Sequence, residues 1–534
     1  MKAFCKGLGP FVGLVLSCVF QTTDLSAQYD VVLRGGRVLD GSGNPWRRVD
    51  VAILDGRIAA VGDLSGASAD LELDVSGLYV SPGFVDAHSH AGPGLATEEL
   101  SHARPWLAQG VTTVVVNPDG GGPTDIQAQR ESLLGDGLGV NVAQLVPHGS
   151  VRRAVIGMED RAPTAQELQQ MRDLVRVGME QGAFGLSSGL YYAPGSYAAT
   201  EEVIELARVA AAYGGVYTSH IRDEADYNIG LVAAVDEVIR IAREAEITGI
   251  VTHIKALGPR VWGYSAALVH RIQRARDQGV SVFADQYPYE ASGTSIGGAL
   301  IPRWAQVGGS EALLERLATP EERSRIREDI VENLDRRGGA ARLQFSNHRA
   351  DPSIEGRTMQ EVADERGVEP ADLAMELTEA GGAGLVSFNM DEGDIATLMR
   401  QPWTMTASDG GLTTMGRGTP HPRYYGTFPR KVRKYVVEEG VLDLPDAIRT
   451  MTSLPAAVLG LPDRGVIREG AVADIAVFDL ARLTDKATYA DPHQFAEGMV
   501  YVFVNGELAI REGNFTGGLH GKVLRKKARP RGVS

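Results

Sequence analysis

Beyond residue 18 the chain has no cysteine: its 2 cysteines, Cys5 and Cys18, both fall in the first segment. That excludes disulfide staples and thiolate metal ligands from the body of the protein. Positive charge is short as well. Lys and Arg number 53 against 68 Asp and Glu, a formal net charge of −15. Such a surface is wrong for a phosphate backbone, which excludes nucleic acid as a partner. The stretch Lys522 to Arg531 runs against this trend and reads as a frayed, solvated basic tail over 516–534. Long apolar runs are missing too. Phe11 to Phe20 falls short of the roughly 20 residues that a membrane span needs. It follows Lys2 and Lys6 and precedes Leu25-Ser-Ala27, the layout of a secretory signal peptide over 1–27. A periplasmic or secreted enzyme is expected. The alternative, a lipid anchor at Cys18, has only Val15-Leu-Ser-Cys18 behind it, whereas Gln21 to Gln28 reads as a cleavage region and mature start.

What is present is a long chain, 534 residues with 64 glycines, enough for a large core and many short loops. From 28 to about 80, β-rich runs such as Asp30-Val-Val-Leu-Arg34 and Val49-Asp-Val-Ala-Ile-Leu54 alternate with Gly and Asp turns. The texture returns over 465–515, with Ala473-Asp-Ile-Ala-Val-Phe478, Val500-Tyr-Val-Phe-Val504 and the turn Asn505-Gly506. Neither end has strands enough to bury a face alone, so the two are expected to build one small β-sandwich. Between them, over 81–464, strand-like runs alternate with amphipathic helical patterns. Eight such runs end near His88, Val116, Val146, Ser187, His220, Ile254, Asp285 and Asp409. Eight βα units predict a closed (β/α)8 barrel. A stretch from about 288 to 365, with a charged helix at Pro320–Arg336, exceeds one unit and reads as an insertion beside the site.

Position is what makes the polar residues informative. His88 and His90 stand i, i+2 at the end of the first run, so both point one way. His220, His253 and Asp409 end the fifth, sixth and eighth. Active sites of such barrels form at the C-terminal strand ends, so separate segments converge on one mouth. Imidazoles and carboxylates together make a divalent-metal site. His148 ends the third run without a matching role and reads as support for the ligands. Gly120-Gly-Gly122 lacks the helix and Lys of a phosphate loop.

The chain resembles the amidohydrolase superfamily, and within it the D-aminoacylase (N-acyl-D-amino-acid deacylase) branch. Gly83-Phe-Val-Asp-Ala-His-Ser-His90 marks the superfamily; Thr218-Ser-His-Ile-Arg-Asp-Glu224 and His421-Pro-Arg-Tyr-Tyr-Gly-Thr-Phe-Pro-Arg430 mark the branch. The resemblance implies one or two Zn²⁺ ions, with other divalent metals possible. His220 and His253 match ligands of the tightly held zinc. His88, His90 and Asp409 match the weaker position, and Asp409 also matches the catalytic acid/base. Lys255, Tyr287 and Arg423 match groups that orient a substrate carboxylate. The branch usually has a cysteine after the second strand; here Val116-Asn-Pro-Asp-Gly120 puts Asp119 there. A carboxylate is a harder ligand and changes metal preference, while Asn-Pro-Asp-Gly is also a good turn.

The expected reaction is hydrolysis of an N-acyl-D-amino acid, a small molecule with a free carboxylate. A divalent ion acidifies water and polarises the amide carbonyl. Asp409 would take a proton from water and pass it to the leaving amine. The alternatives are a dipeptidase or cyclic amidase on the same site, or a non-catalytic barrel, since fold alone does not prove function. Stereochemistry and oligomeric state have no signature in the sequence.

Overall fold

The computed structural model describes Met1 and residues 28–527. The expected signal segment lies outside the described residues, as does the tail from 528 onward.

Strands from both chain ends form one nine-stranded sheet, eight in a single hydrogen-bonded path and the ninth, Ser68–Asp74, paired off it with Gln28–Val38. Tyr79–Pro82 is the junction, parallel to Gln28–Val38 on one side and antiparallel to Ile475–Phe478 on the other. The faces close over a shared core in which Val31, Leu33, Val51 and Ile53 meet Ile475, Val477 and Phe503. At the predicted turn, Asn505 (φ 55°) and Gly506 (φ 90°) both take positive φ, as a two-residue hairpin turn of matching twist requires.

The chain between these ends forms the barrel. Its parallel strands are β1 (Phe84–Asp86), β2 (Val111–Val116), β3 (Asn141–Gln144), β4 (Gly185–Gly189), β5 (Val216–His220), β6 (Thr248–Val251), β7 (Val282–Gln286) and β8 (Thr404–Thr406). Pairing runs from β1 to β3 and, through Val146–Pro147, from β4 to β8. The ring closes between β8 and β1 less regularly. There the Ser408 amide donates to Asp86 Oδ1 (2.8 Å), the Asp409 amide to His88 O (2.9 Å), and Gly410–Gly411 pairs with Ser89–His90. Val85, Val115, Ala143, Val216, Ile250 and Met405 pack together as interior filling, so the barrel is a core and not a pore. The predicted helices appear as Thr200–Ala212, Leu231–Glu244 and Ser265–Asp277, their apolar faces packed with Val175, Leu186 and Val251.

Two expectations need correction. The insertion does not end near 365. Its sheet has three strands, Ser292–Ser295, Leu343–Asn347 and Gly384–Ser387, and the last is antiparallel to both others and lies between them. The unit has its own core around Ile326, Ile330, Phe345 and Leu385, and it cannot close without the central strand. The basic tail is also not frayed where it is described. The Val142 amide donates to Lys522 O (2.9 Å), Leu524 to Val142 O (2.8 Å) and Lys526 to Gly182 O (3.0 Å). Leu524 packs against the barrel interior residues, so backbone pairing and apolar burial hold a segment whose charge alone suggested solvent.

Candidate metal and active site

Three loops after barrel strands are bent into conformations that non-glycine residues rarely adopt. Asn117 (φ 63°), Asp119 (54°), His253 (37°) and Asp409 (49°) all have positive φ. Each such residue costs about 1–3 kcal/mol, and persists only where its surroundings impose it. Here the imposing contacts are visible. Asp285 Oδ1 accepts from the His253 amide (2.7 Å). Buried Asp86 accepts from Trp106 Nε1 (2.9 Å) and from the amide and hydroxyl of Ser408. Gly120 lies so close to the next loops that a Cβ would stand 2.9 Å from Gly149 N and 3.0 Å from Gly189 N.

These bends bring six predicted residues together. His88, His90, Asp119 and Asp409 place their ligand atoms within 4.8 Å of one another, and so do Asp119, His220 and His253. Asp119 belongs to both groups. Its Oδ1 is 3.5 Å from His88 Nε2 and 3.6 Å from His253 Nε2; its Oδ2 is 3.4 Å from His90 Nε2 and 3.8 Å from His220 Nδ1. Each carboxylate oxygen therefore faces one histidine of each group. Asp409 Oδ1 lies 3.1 Å from His90 Nε2 and 3.5 Å from His88 Nε2. His88 Nε2, Asp119 Oδ1 and His220 Nδ1 are buried without a hydrogen-bond partner. Orphaned buried donors and acceptors that converge on one point are costly unless something sits there, and a nitrogen–carboxylate set suits a divalent cation.

Charge pairing dominates the electrostatics. Burial alone would raise Asp119 and Asp409, but His88 beside the first and Arg423 beside the second hold both well below the usual carboxylate range. Burial alone would lower His88 and His90, yet the same two carboxylates raise both. A divalent cation bound here would displace the protons that the two carboxylates favour on His88 and His90.

The three predicted carboxylate-orienting residues diverge in their contacts. Arg423 starts the helix Arg423–Arg430, is buried, and puts Nη1 2.8 Å from Asp409 Oδ2. Its Nε has no partner. Tyr287 turns its ring face to Arg423 (4.7 Å), while its hydroxyl donates to Met390 Sδ (4.0 Å). Lys255 donates to Glu224 Oε1 (2.5 Å) and lies 2.7 Å from His253 Nδ1. Glu224 was not singled out from the sequence; the only signals were its place in the His-Ile-Arg-Asp-Glu motif and its i, i+4 spacing from His220. His421 fastens the Arg423 loop, accepting from the Arg423 amide at Nδ1 (3.0 Å) while Nε2 meets Ala291 O (2.9 Å). His148 supports none of the ligands: it pairs with Glu202 (2.9 Å), tying two barrel helices together.

The cluster sits where two cavities meet. One, of about 950 Å³, reaches Asp119, His220 and His253 and is walled by the loop Gly120–Pro123. The other, of about 1210 Å³, lies under the insertion and reaches Arg423. His90, Gly293, Thr294 and Asp409 border both.

A barrel with a histidine–carboxylate metal cluster at the C-terminal ends of its strands is the frame of a metal-dependent hydrolase. Residues 72–510 match the amidohydrolase family, and the chain belongs to it. Its relatives are hydrolases of amide bonds. A D-aminoacylase of Alcaligenes xylosoxydans xylosoxydans is 36% identical over 526 residues, 94% of this chain and 99% of the relative. A zinc- and phosphonate-bound N-acyl-D-glutamate deacylase from Bordetella bronchiseptica has a TM-score of 0.80 at 34% identity, covering 93% of this chain and 100% of that one. A D-aminoacylase structure described for its binuclear metal centre has a TM-score of 0.79 at 34% identity, with the same coverage of both chains.

Proposed function

We propose that this enzyme hydrolyses N-acyl-D-amino acids, releasing a carboxylic acid and a free D-amino acid. The observation that carries the proposal is the place of Asp409, with one oxygen on the His88/His90 pair and the other on Arg423. His220, His253 and Asp119 would hold one divalent ion; His88, His90 and Asp409, with Asp119 shared, would hold a second. Zn²⁺ is the proposed metal, as in the Bordetella relative. When bound, such an ion acidifies water and polarises the amide carbonyl.

Asp409 then acts as base and acid. It takes a proton from the attacking water and delivers it to the amine nitrogen, which would otherwise have to leave as an amide anion. Arg423 keeps Asp409 ionised before substrate arrives. Its planar fork can also grip the carboxylate next to the scissile amide. A substrate that shares Arg423 weakens its hold on Asp409 and makes that carboxylate a better base. The amino-acid half lies on the Arg423 side, under the insertion, and the acyl half faces the Gly120–Pro123 loop. Export from the cytoplasm is proposed from the N-terminal sequence alone, and N-terminal sequencing of the protein made in a bacterial host checks it: a start at Gln28 agrees, an intact Met1 does not.

The experiment is amide hydrolysis by chelated, zinc-reconstituted and Asp409→Asn enzyme. Activity should vanish on chelation, return with zinc, and stay absent in the variant even when zinc is bound. Full activity in the chelated enzyme would overturn the reading.

A further inference from the structure

The cavity on the acyl side of the cluster is larger than the smallest acyl group requires. It measures about 950 Å³, whereas an acetyl group fills on the order of 100 Å³ at about 30 Å³ per water-sized atom. Its breadth comes from what its walls lack. Gly120, Gly121 and Gly122 bring backbone alone to one side, and Pro93, Pro123 and Ala128 add short apolar side chains. Of these, all but Gly120 are exposed. The two amides on the wall, Asn117 and Gln129, are hydrogen-bonded to each other (2.8 and 2.7 Å). The acids on the wall are Asp119, Glu224 and Asp409, and they already face His88, Lys255 and Arg423. Its other charged side chains, Arg153, Lys255 and Arg337, are positive.

We infer that this cavity takes an uncharged, apolar acyl chain several carbons longer than acetyl, admitted by the Gly120–Gly122 loop and Ala128. The inference rests on the deacylase reading proposed above and names its acyl half. An aliphatic chain gains roughly fourfold in binding per buried methylene, from about 0.8 kcal/mol each, and needs no polar partner. Here it covers apolar surface otherwise left to water. The competing occupant is an aminoacyl group, as in a dipeptide. Its ammonium would enter among cations and find every carboxylate on the wall engaged, which penalises it. Two positions set the width. Gly120 and Gly122 are held at positive φ (67° and 139°), but Gly121 is not. A Cβ at Gly121 meets only Pro118 O, at 3.8 Å. The backbone there accepts a larger residue, which would occupy room that the acyl chain uses. Ala128 lies on the helix Ile126–Leu134, where leucine is a good helix former.

The test is kcat/KM of the zinc-reconstituted full-length enzyme for N-acetyl-, N-butanoyl- and N-hexanoyl-D-amino acids across a panel of side chains. The matching glycyl dipeptides are run beside them, in wild type, Gly121→Leu and Ala128→Leu. In wild type, hexanoyl should exceed acetyl at least about tenfold, which four extra methylenes supply even when only partly buried. The hexanoyl-to-acetyl ratio should fall at least about tenfold in either variant. Damage to fold or metal content would lower both acyl groups together and leave that ratio alone. Should one variant fail to fold, the other and the wild-type series decide. Acetyl equal to or above hexanoyl in wild type would overturn the inference. So would a glycyl dipeptide above hexanoyl, or a ratio unmoved in both variants. Turnover of no acyl series, with zinc bound, would instead sink the deacylase reading and the inference with it.

Discussion

At the scale of single residues, the two oxygens of Asp409 do different work. Replacing it with Asn keeps the shape but removes the base, and kcat should fall by about 10²–10⁴-fold while zinc stays on His220 and His253. Metal analysis beside the kinetics checks this; loss of both together would make Asp409 chiefly a ligand. Arg423→Lys keeps the charge but not the fork. KM for the acylated amino acid should rise at least about tenfold, the size of one lost charge-assisted bond of about 1.5–3 kcal/mol, and kcat should fall too, because Asp409 loses its partner. The four histidines and Asp409 were legible because residue type and strand-end position coincided; Arg423, at the start of a helix, was legible only through the resemblance of its His-Pro-Arg block. Asp119 was legible only as a substitute for a missing cysteine. That it stands between both groups, and that Glu224 pairs with Lys255, depends on contacts between segments distant in sequence, which no local pattern encodes.

At the scale of elements, the strand ends and most outer helices could be read from periodicity, since each buries one face against its neighbours. Two segments could not. The strand Gly384–Ser387 is four residues long and owes its existence to two partners, Ser292–Ser295 and Leu343–Asn347, far from it in the chain. The tail was misread because its lysines and arginines signal solvent, whereas its backbone pairs with β3. Deleting residues 519–534 should therefore lower the melting temperature by several degrees and expose the Val142 amide, which donates to Lys522 O, to hydrogen exchange. A truncated chain that melts with wild type would restore the frayed reading. Gly120→Ala meets both a positive φ (67°) and a crowded Cβ position. It should cost about 1–3 kcal/mol in denaturant unfolding and lower zinc occupancy by displacing Asp119.

At the scale of the molecule, the net charge of −15 keeps anionic substrates at a distance except where buried cations stand unscreened, and Arg423 is such a place. One buried cation, Lys431, has no carboxylate partner among the described residues. Lys431 donates to Thr406 Oγ1 and Thr450 Oγ1 (both 2.8 Å), and burial lowers its pKa to about 7. The folded state then binds fewer protons than the unfolded state between about pH 7 and the ordinary lysine value near 10.4. This group's contribution to stability rises with pH through that window and is flat below it. Lys431→Met should raise the melting temperature at pH 7 and flatten its rise toward pH 9.5; a parallel shift at every pH would show that Lys431 is not the cause.

The most direct test of the account is amine release from matched N-acyl-D- and N-acyl-L-amino acids by zinc-reconstituted enzyme. The account predicts turnover of the D series, with little or none of the L series. Turnover of neither, with zinc demonstrably bound at the His220, His253 and Asp119 group, would contradict it and make Asp119 the mark of a different amide chemistry on the same barrel.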